Sequence, residues 1–141
     1  MAVTDRYVGN AWYGTWIYSG GTVTISGDQT EFAVERSTDK VDVTAGTETY
    51  RSYLATLGDA KLTLTRFDTG PNGTALASAL KERTNGTITF GPQGSATGKP
   101  KFSFAAFVST HKVSYPFDGA VTLEIEFQNS GAPLSDYGAV Y

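Results

Sequence analysis

Few side chains in this 141-residue chain have a spacing that could support catalysis. Glu124 and Glu126 lie two residues apart, which places them on the same face of an extended strand. Paired carboxylates provide acid and base in glycoside hydrolases, but here they alternate with apolar residues, a pattern typical of the solvated face of a strand. His111 is the only histidine, and it stands near a predicted strand end without a readable serine and carboxylate partner. We therefore predict that the protein is not an enzyme.

Two further patterns could hold a ligand, and both are incomplete. The segment Gly94–Lys99 (GSATGK) is one residue short of a phosphate-binding loop, and Pro100 stands where Ser or Thr would hold magnesium. Asp39 and Asp42 could begin a calcium site, but the rest of the ligand set is missing. The chain also has no cysteine, which excludes disulfides and thiolate metal sites. We expect no cofactor and no metal.

Four aromatic side chains cluster near the start of the chain: Trp12, Tyr13, Trp16 and Tyr18. They could stack on sugar rings, in which case the protein is a carbohydrate-binding β-sandwich module. The favoured interpretation is an aromatic first strand or arm that packs into the core or onto a neighbouring subunit. The sugar-binding interpretation predicts glycan binding that Trp12→Ala or Trp16→Ala abolishes.

Composition narrows the class of protein. The length suggests one domain over residues 1–141, and 16 glycines with frequent threonine favour strands joined by tight turns. The formal net charge of −3 lacks the clustered Lys and Arg that grip nucleic acid. No apolar run approaches the roughly 18 residues of a membrane span, and no basic region followed by an apolar run begins the chain. We expect no membrane insertion and no secretory signal.

Alternation of apolar and polar residues predicts most of the secondary structure. Short strands are predicted near residues 12–18, 22–26, 30–36, 60–67, 86–90, 101–110 and 120–127. The second and third of these flank Gly27-Asp28 and predict a β-hairpin. Leu76 and Leu80 indicate one helix over Thr74–Arg83. The expected fold is mainly β: a β-sandwich or half-barrel of two packed antiparallel sheets with one flanking helix.

Three segments fall outside this pattern. We predict an N-terminal arm over residues 1–11 and a C-terminal tail over residues 129–141. The third is Ser37–Leu57, which carries apolar residues without a regular strand or helix pattern. A segment of roughly 20 residues of this kind is usually functional or disordered. It is either a projecting loop that becomes ordered against another copy of the protein, or a long β-hairpin folded back on its own domain.

The order of these features resembles the major tail tube proteins of long, non-contractile-tailed bacteriophages. The early hairpin leads through Val41–Thr44 into a Gly/Thr-rich loop, and the strand Gly58–Leu64 leaves it. The single helix follows a Gly/Asn turn. The most specific part is the end of the chain, where Phe102–Ser109 passes through Tyr115–Gly119 into Val121–Gln128 and then Asn129-Ser130-Gly131.

This resemblance implies a structural subunit that forms hexameric rings, which stack into a hollow tube in the virion tail after synthesis in the host bacterial cytoplasm. The implied partners are copies of the chain, a tape-measure protein, a tail tip and a tail terminator, and viral DNA passes through the lumen without specific binding. The expected inter-ring or inter-subunit contacts are Val41, Asp42, Val43, Thr44, Tyr50, Arg51, Tyr53 and Leu54. The lumen candidates are Thr63, Thr65, Glu124 and Glu126, followed by Glu31 and Glu35, while Lys61 argues against a purely acidic bore.

Overall fold

Strands account for nearly all of the regular structure in the computed structural model, which describes residues 11–27, 29–68 and 78–141. The strands are β1 (Tyr13–Tyr18), β2 (Gly21–Thr24), β3 (Gln29–Asp42), β4 (Tyr53–Phe67), β5 (Asn85–Gly91), β6 (Phe102–Ser114) and β7 (Thr122–Ser135). The prediction of a mainly β fold is confirmed. Within the described ranges, no helix has the length and apolar character needed to cross a bilayer.

The described strands hydrogen bond into one seven-stranded sheet in the order β2-β1-β5-β6-β7-β4-β3. Every neighbouring pair is antiparallel. The two separate sheets expected of a sandwich are therefore not found among these residues. Alternation shows which residues of a strand face the core, but it does not show whether consecutive strands belong to one sheet or two.

The sheet is strongly curled. Its two edge strands, β2 and β3, are separated in sequence only by residues 25–28. In a flat sheet they would lie about 29 Å apart, whereas five peptide steps span at most about 18 Å. Register shifts in the pairing of β6 with β7 lie near the middle of the sheet, where bulges increase bend and twist. The half-barrel component of the prediction agrees with this curvature.

The predicted hairpin around Gly27-Asp28 is wrong. β2 pairs with β1, and β3 pairs with β4, so the two strands expected to be partners form opposite edges of the sheet. The connection carries the chain from one edge to the other, and the Ile25 side chain on it is fully buried. The backbone N–H of Ile25 donates to the carbonyl of Gly14 at 3.0 Å, which ties this connection to β1.

The concave side of the sheet holds the apolar core. Leu62 and Leu64 of β4 pack there with the inward side chains of β7, and all are fully buried. The ring of Trp16 on β1 lies 4.9 Å from that of Phe127 on β7, although two strands separate β1 from β7 in the sheet. Burial of one such large side chain contributes about 1.5–3 kcal/mol, so the contacts across the fold maintain the curl.

The predicted helix over Thr74–Arg83 lies partly outside the described residues. Of the remainder, Ser78 and Ala79 are helical and the following residues are not. Arg83 has a φ of 71°, which a helix does not allow. Its N–H donates to the carbonyl of Val108 at 2.9 Å, so the chain has already joined the sheet there. Strand pairing thus determines where the helix ends.

Candidate assembly surfaces

The segment Ser37–Leu57, for which the sequence left open a projecting loop or a long β-hairpin folded back on its own domain, is mostly a β-hairpin. Strand β3 continues to Asp42, and β4 begins at Tyr53. Both strands extend beyond the part of the sheet that pairs with β7, because the β4–β7 register ends at Lys61. We call residues 37–57 the hairpin extension. Its side chains are exposed apart from the half-buried Ser52, so it is not folded back on its own domain.

The turn of the hairpin extension is ordered by its own hydrogen bonds. The backbone N–H of Thr44 donates to the Asp42 carboxylate at 2.9 Å, and its hydroxyl accepts from the N–H of Ser52 at 2.8 Å. The Glu48 carboxylate accepts from the Ser52 hydroxyl at 2.9 Å. Bonds from the Thr44 side chain and backbone lower the pKa of Asp42, since they stabilise its charged form. The turn thus has a defined shape in a single chain.

The eight predicted contact residues occupy distinct positions on this extension. Val41 pairs directly with Leu54, and Val43 follows on the same face. Asp42 pairs with Tyr53 on the other face, beside Thr44. Three residues form a group near the turn, which we call the tip triad: Tyr50, Arg51 and Tyr53.

Weak local contacts hold the tip triad. The Arg51 guanidinium is 3.7 Å from the Asp42 carboxylate, and the Lys40 ammonium lies 4.6 Å from the Tyr53 ring centroid. Exposed contacts of these kinds contribute about 1 kcal/mol or less each.

The apolar side chains of the extension have no cover within the described chain. Tyr50 is 86% exposed, Leu57 75% and Leu54 58%. Contiguous apolar surface on a well-formed element is typical of an interaction site. The extension therefore has the physical character of a docking element.

The convex face of the sheet is polar over four adjacent strands. Residues that pair directly share a face, and three rows cross β3, β4, β7 and β6 in register. These rows are Glu31-Thr65-Glu124-Lys112, Ala33-Thr63-Glu126-Thr110 and Glu35-Lys61-Gln128-Phe107. All six lumen candidates lie in these rows. We call this surface the polar face, and Glu124 with Glu126 the acidic pair.

The polar face carries a net negative charge, but lysines lie among its carboxylates. Four carboxylates stand against two lysines in the three rows, which gives a net charge of −2. The Lys61 ammonium lies 3.0 Å from the Glu126 carboxylate. This hydrogen-bonded ion pair raises the pKa of Lys61 and lowers the pKa of Glu126. The surface has no cationic cluster that would grip phosphate.

The residues considered for catalysis or metal binding do not converge. A ring nitrogen of His111 lies 2.8 Å from the carbonyl oxygen of Leu80, in a structural contact. Glu124 sits opposite Lys112 on the polar face. Among the described residues, no three His, Cys, Asp or Glu side chains are placed to hold a metal ion.

Burial decides between the two interpretations of the early aromatics. Trp16 is fully buried and Trp12 is 8% exposed. The Trp12 ring stacks on Phe32 at 4.4 Å, and the Trp16 indole N–H donates to the carbonyl of Ala79 at 2.9 Å. Side chains held in this way cannot stack on a sugar, so the carbohydrate-binding alternative is wrong for these tryptophans.

The predicted tail over residues 129–141 begins as strand, because β7 continues to Ser135. Beyond it, the Arg36 guanidinium binds the Asp136 carboxylate through two hydrogen bonds of 2.8 Å. This bidentate pair raises the pKa of Arg36 and lowers the pKa of Asp136. Tyr141 pairs with Lys99, since its N–H donates to that carbonyl at 3.0 Å. We call this pair the Arg36–Asp136 latch. Its partners are 100 residues apart in sequence, a separation at which alternation gives no signal.

Known proteins resemble this chain in structure, but none was matched by sequence. No family model matches the sequence, and no curated protein matches it. The tail of an empty gene transfer agent particle, refined with C6 symmetry, contains a chain with a TM-score of 0.72 and 13% identity, covering 93% of this chain and 99% of that one. The SPP1 tail tube matches with a TM-score of 0.69 and 12% identity, over 96% and 81% of the two chains.

The sheath-tube complex of an extracellular contractile injection system matches with a TM-score of 0.62 and 10% identity, over 95% of both chains. Matches at this identity establish a common fold. The predicted likeness to tail tube proteins is confirmed as a likeness of structure over nearly the whole chain. This protein has the fold found in phage-type tails and injection tubes.

Proposed function

We propose that the protein is the structural subunit of a phage tail tube, in which hexameric rings of this chain stack into a hollow conduit for viral DNA. The observation that supports it best is the combination of a shared fold with the SPP1 tail tube and an ordered, uncovered hairpin extension. A tube requires strong contacts between copies and no catalytic site. The molecule would then be located in the virion tail.

Lateral contacts within a ring would use the sheet edges. β2 and β3 each have one side without a strand partner in the sheet. Such edges present unpaired N–H and C=O groups that readily pair with a strand of another chain. Adding the edge of one subunit to that of the next would continue the curled sheet around a ring.

The polar face would line the lumen. Its carboxylates repel the phosphates of DNA, and its threonines are polar without being cationic. DNA could then slide past without being held. The convex polar face suits this role because the opposite side of the sheet is occupied by the core.

Contacts between rings would use the hairpin extension. The turn hydrogen bonds reduce the entropy that docking must overcome. The exposed apolar groups would be covered by a subunit of the adjacent ring. A tape-measure protein, a tail tip and a tail terminator would complete the tail as further partners.

Electron microscopy of the purified protein tests this proposal. At high concentration, or with a tail tip added as a seed, we expect six-fold rings and tubes in negative stain. A matched sample of the tip-triad alanine variant serves as the control and should remain unassembled. Wild-type protein that stays monomeric under both conditions would contradict the proposed function.

A further inference from the structure

The turn between β6 and β7 presents two exposed aromatic side chains. Tyr115 is 76% exposed, and Phe117 is fully exposed at 105%. The turn, residues 115–121, lies immediately after the end of β6 and before the start of β7. A phenylalanine projected entirely into solvent has no role in the fold of its own chain, while covering it would bury about 150–250 Å².

The surface also has an apolar cleft that could receive such an aromatic side chain. A cleft of about 300 Å³ is lined mainly by the apolar side chains of Val34, Phe90, Pro92, Pro100, Phe102 and Tyr137. We call it the aromatic cleft. Its rings are already fixed, because Phe90 stacks on Phe102 at 5.3 Å and Tyr137 meets Phe102 edge-on at 5.0 Å. A preformed apolar site of this size suits a single aromatic side chain.

The C-terminal segment builds one wall of this cleft. The Arg36–Asp136 latch holds the segment in place, and the Arg36 guanidinium lies 5.8 Å from the Tyr137 ring. Arg36 also lies 5.7 Å from the ring of Phe104, so its guanidinium lies near two aromatic rings while remaining partly exposed. The latch thus keeps the aromatic cleft open in a single chain.

The cleft and the turn lie at opposite ends of the same strand. Phe102 begins β6 and lines the cleft, whereas Ser114 ends β6 and leads into the turn. Twelve residue steps along a strand span about 40 Å. No chain can place its own Phe117 in its own cleft, so a phenylalanine at this position can reach the cleft only of another copy.

The charged residues near Phe117 and near the cleft also favour contact between these two sites. Asp118 follows Phe117 and is the one charged residue in the turn. Lys99 and Lys101 flank the cleft residue Pro100. An aromatic side chain that enters the cleft from a second copy would bring its neighbouring carboxylate towards these lysines.

We infer that Phe117 of one copy inserts into the aromatic cleft of the next copy along the tube. The inference rests on the proposed function and adds an axial contact separate from the hairpin extension. A contact between two different surfaces at opposite ends of a subunit is heterologous, and it propagates as an open stack. Each ring would then present clefts at one end and phenylalanines at the other.

Cysteine cross-linking tests the contact directly, because the natural chain has no cysteine. The variant carries Phe117→Cys with Val34→Cys, since Val34 lines the cleft and is 37% exposed. A short bismaleimide added to assembled tubes should give covalent ladders of more than six chains. The matched control pairs Phe117→Cys with Thr22→Cys on the β2 edge and should give no such ladder.

A second measurement uses Phe117→Ala alone. The thermal midpoint should stay within about 2 °C of wild type, because the Phe117 side chain is fully exposed in the subunit. The critical concentration for tube formation should rise by about 30-fold, the effect expected of a central interface anchor.

The outcomes separate the inference from the function on which it rests. If wild-type protein forms tubes but assembled Phe117→Cys/Val34→Cys protein gives no cross-linked ladders, or if Phe117→Ala leaves the critical concentration unchanged, the Phe117 contact is overturned and the tube remains. An intrachain link between Val34→Cys and Tyr7→Cys, without ladders, would assign the cleft to the chain's own N-terminal residues and also overturn it. Wild-type protein that forms no tubes removes the proposed function and this contact together.

Discussion

Replacing Leu54 and Leu57 of the hairpin extension by alanine should weaken assembly far more than folding. Leu54 is 58% exposed and Leu57 75% exposed in the single chain. Full burial of a leucine is worth about 1.5–3 kcal/mol, and alanine keeps one of its four side-chain carbons. Covering the exposed portions that the substitutions remove therefore contributes about 1.5–3 kcal/mol per subunit in a tube. The removed portions that are already covered in the subunit correspond to only about 1–1.5 kcal/mol of folding stability.

Two assays separate these effects. Sedimentation of assembled protein should show a critical concentration about 10- to 150-fold higher for the double variant. Thermal unfolding below that concentration should show a midpoint lowered by no more than about 5 °C for a chain of this length. A matched control is Ile17→Ala on β1, which is 46% exposed and should lose similar subunit stability without the large change in assembly.

Two results would contradict a role of Leu54 and Leu57 in assembly. Equal critical concentrations for the double variant and the Ile17→Ala control would show that the extension makes no contact between copies. A midpoint lowered by more than about 10 °C in the double variant would place both leucines in the subunit's own core, against their observed exposure.

Four further predictions concern other parts of the molecule. Alanine substitution of the tip triad should block polymerisation and lower the thermal midpoint by only a few degrees, about 5 °C at most, because each lost local contact is weak; a collapse of the midpoint would contradict this. Lysine substitution of the acidic pair reverses the charge of the polar face, so assembled tubes should cosediment with a short DNA duplex and release it as salt is raised, while wild-type tubes should not. Phe127→Ala removes a fully buried ring and should cost about 3–5 kcal/mol in denaturant unfolding, with a loss below 1 kcal/mol contradicting its place in the core. Arg36 lowers the pKa of Asp136, so the stability that this pair contributes is complete above the ordinary carboxyl pKa of 3.8 and is lost as pH falls through the lower pKa of the folded state. Asp136→Asn should therefore flatten that part of the acid-unfolding curve. An unchanged curve would count against the latch.

Alternation in the sequence predicted the inward faces of the central strands correctly. Leu62 and Leu64 are buried, as are the alternating apolar residues of β7, because a strand that covers a core must place apolar groups at every second position. The same rule placed the acidic pair on the opposite face. These predictions succeed because they depend on the strand alone and not on the identity of its neighbours.

Alternation did not predict the two strands of the hairpin extension, because it detects only strands that cover a core on one side. Alternation reports one-sided burial, and the extension has a core on neither side. Lys40 and Asp42 alternate with apolar residues there, but both faces are exposed and no clear pattern remains. Its strands are stabilised by pairing with each other, which periodicity does not detect.

Which strands pair with each other could not be predicted from the sequence either. The Gly-Asp turn signal suggested that β2 and β3 were neighbours, but β2 pairs with β1 and β3 pairs with β4, so they form opposite edges of the sheet. The Arg36–Asp136 latch depends on the same long-range arrangement. Only the folded sheet brings the first third of the chain beside its C-terminal segment.

The unequal edges of the sheet limit how copies can join. β2 has four residues and β3 has fourteen, so any contact that uses the β2 edge pairs over about four residues. A contact between two β2 edges would also be two-fold and closed. Two β3 edges could pair more extensively, but that contact would be two-fold and would use up the long edges in a closed dimer. Joining a β2 edge to a β3 edge is heterologous and leaves one edge of each kind free, so it can continue around a ring until the ring closes. The ends of the subunit are also different, with the hairpin extension and the aromatic cleft near one end and Phe117 at the other. A chain with two unlike edges and two unlike ends can grow in both directions without a second component, which is the geometric requirement for a tube built from one protein.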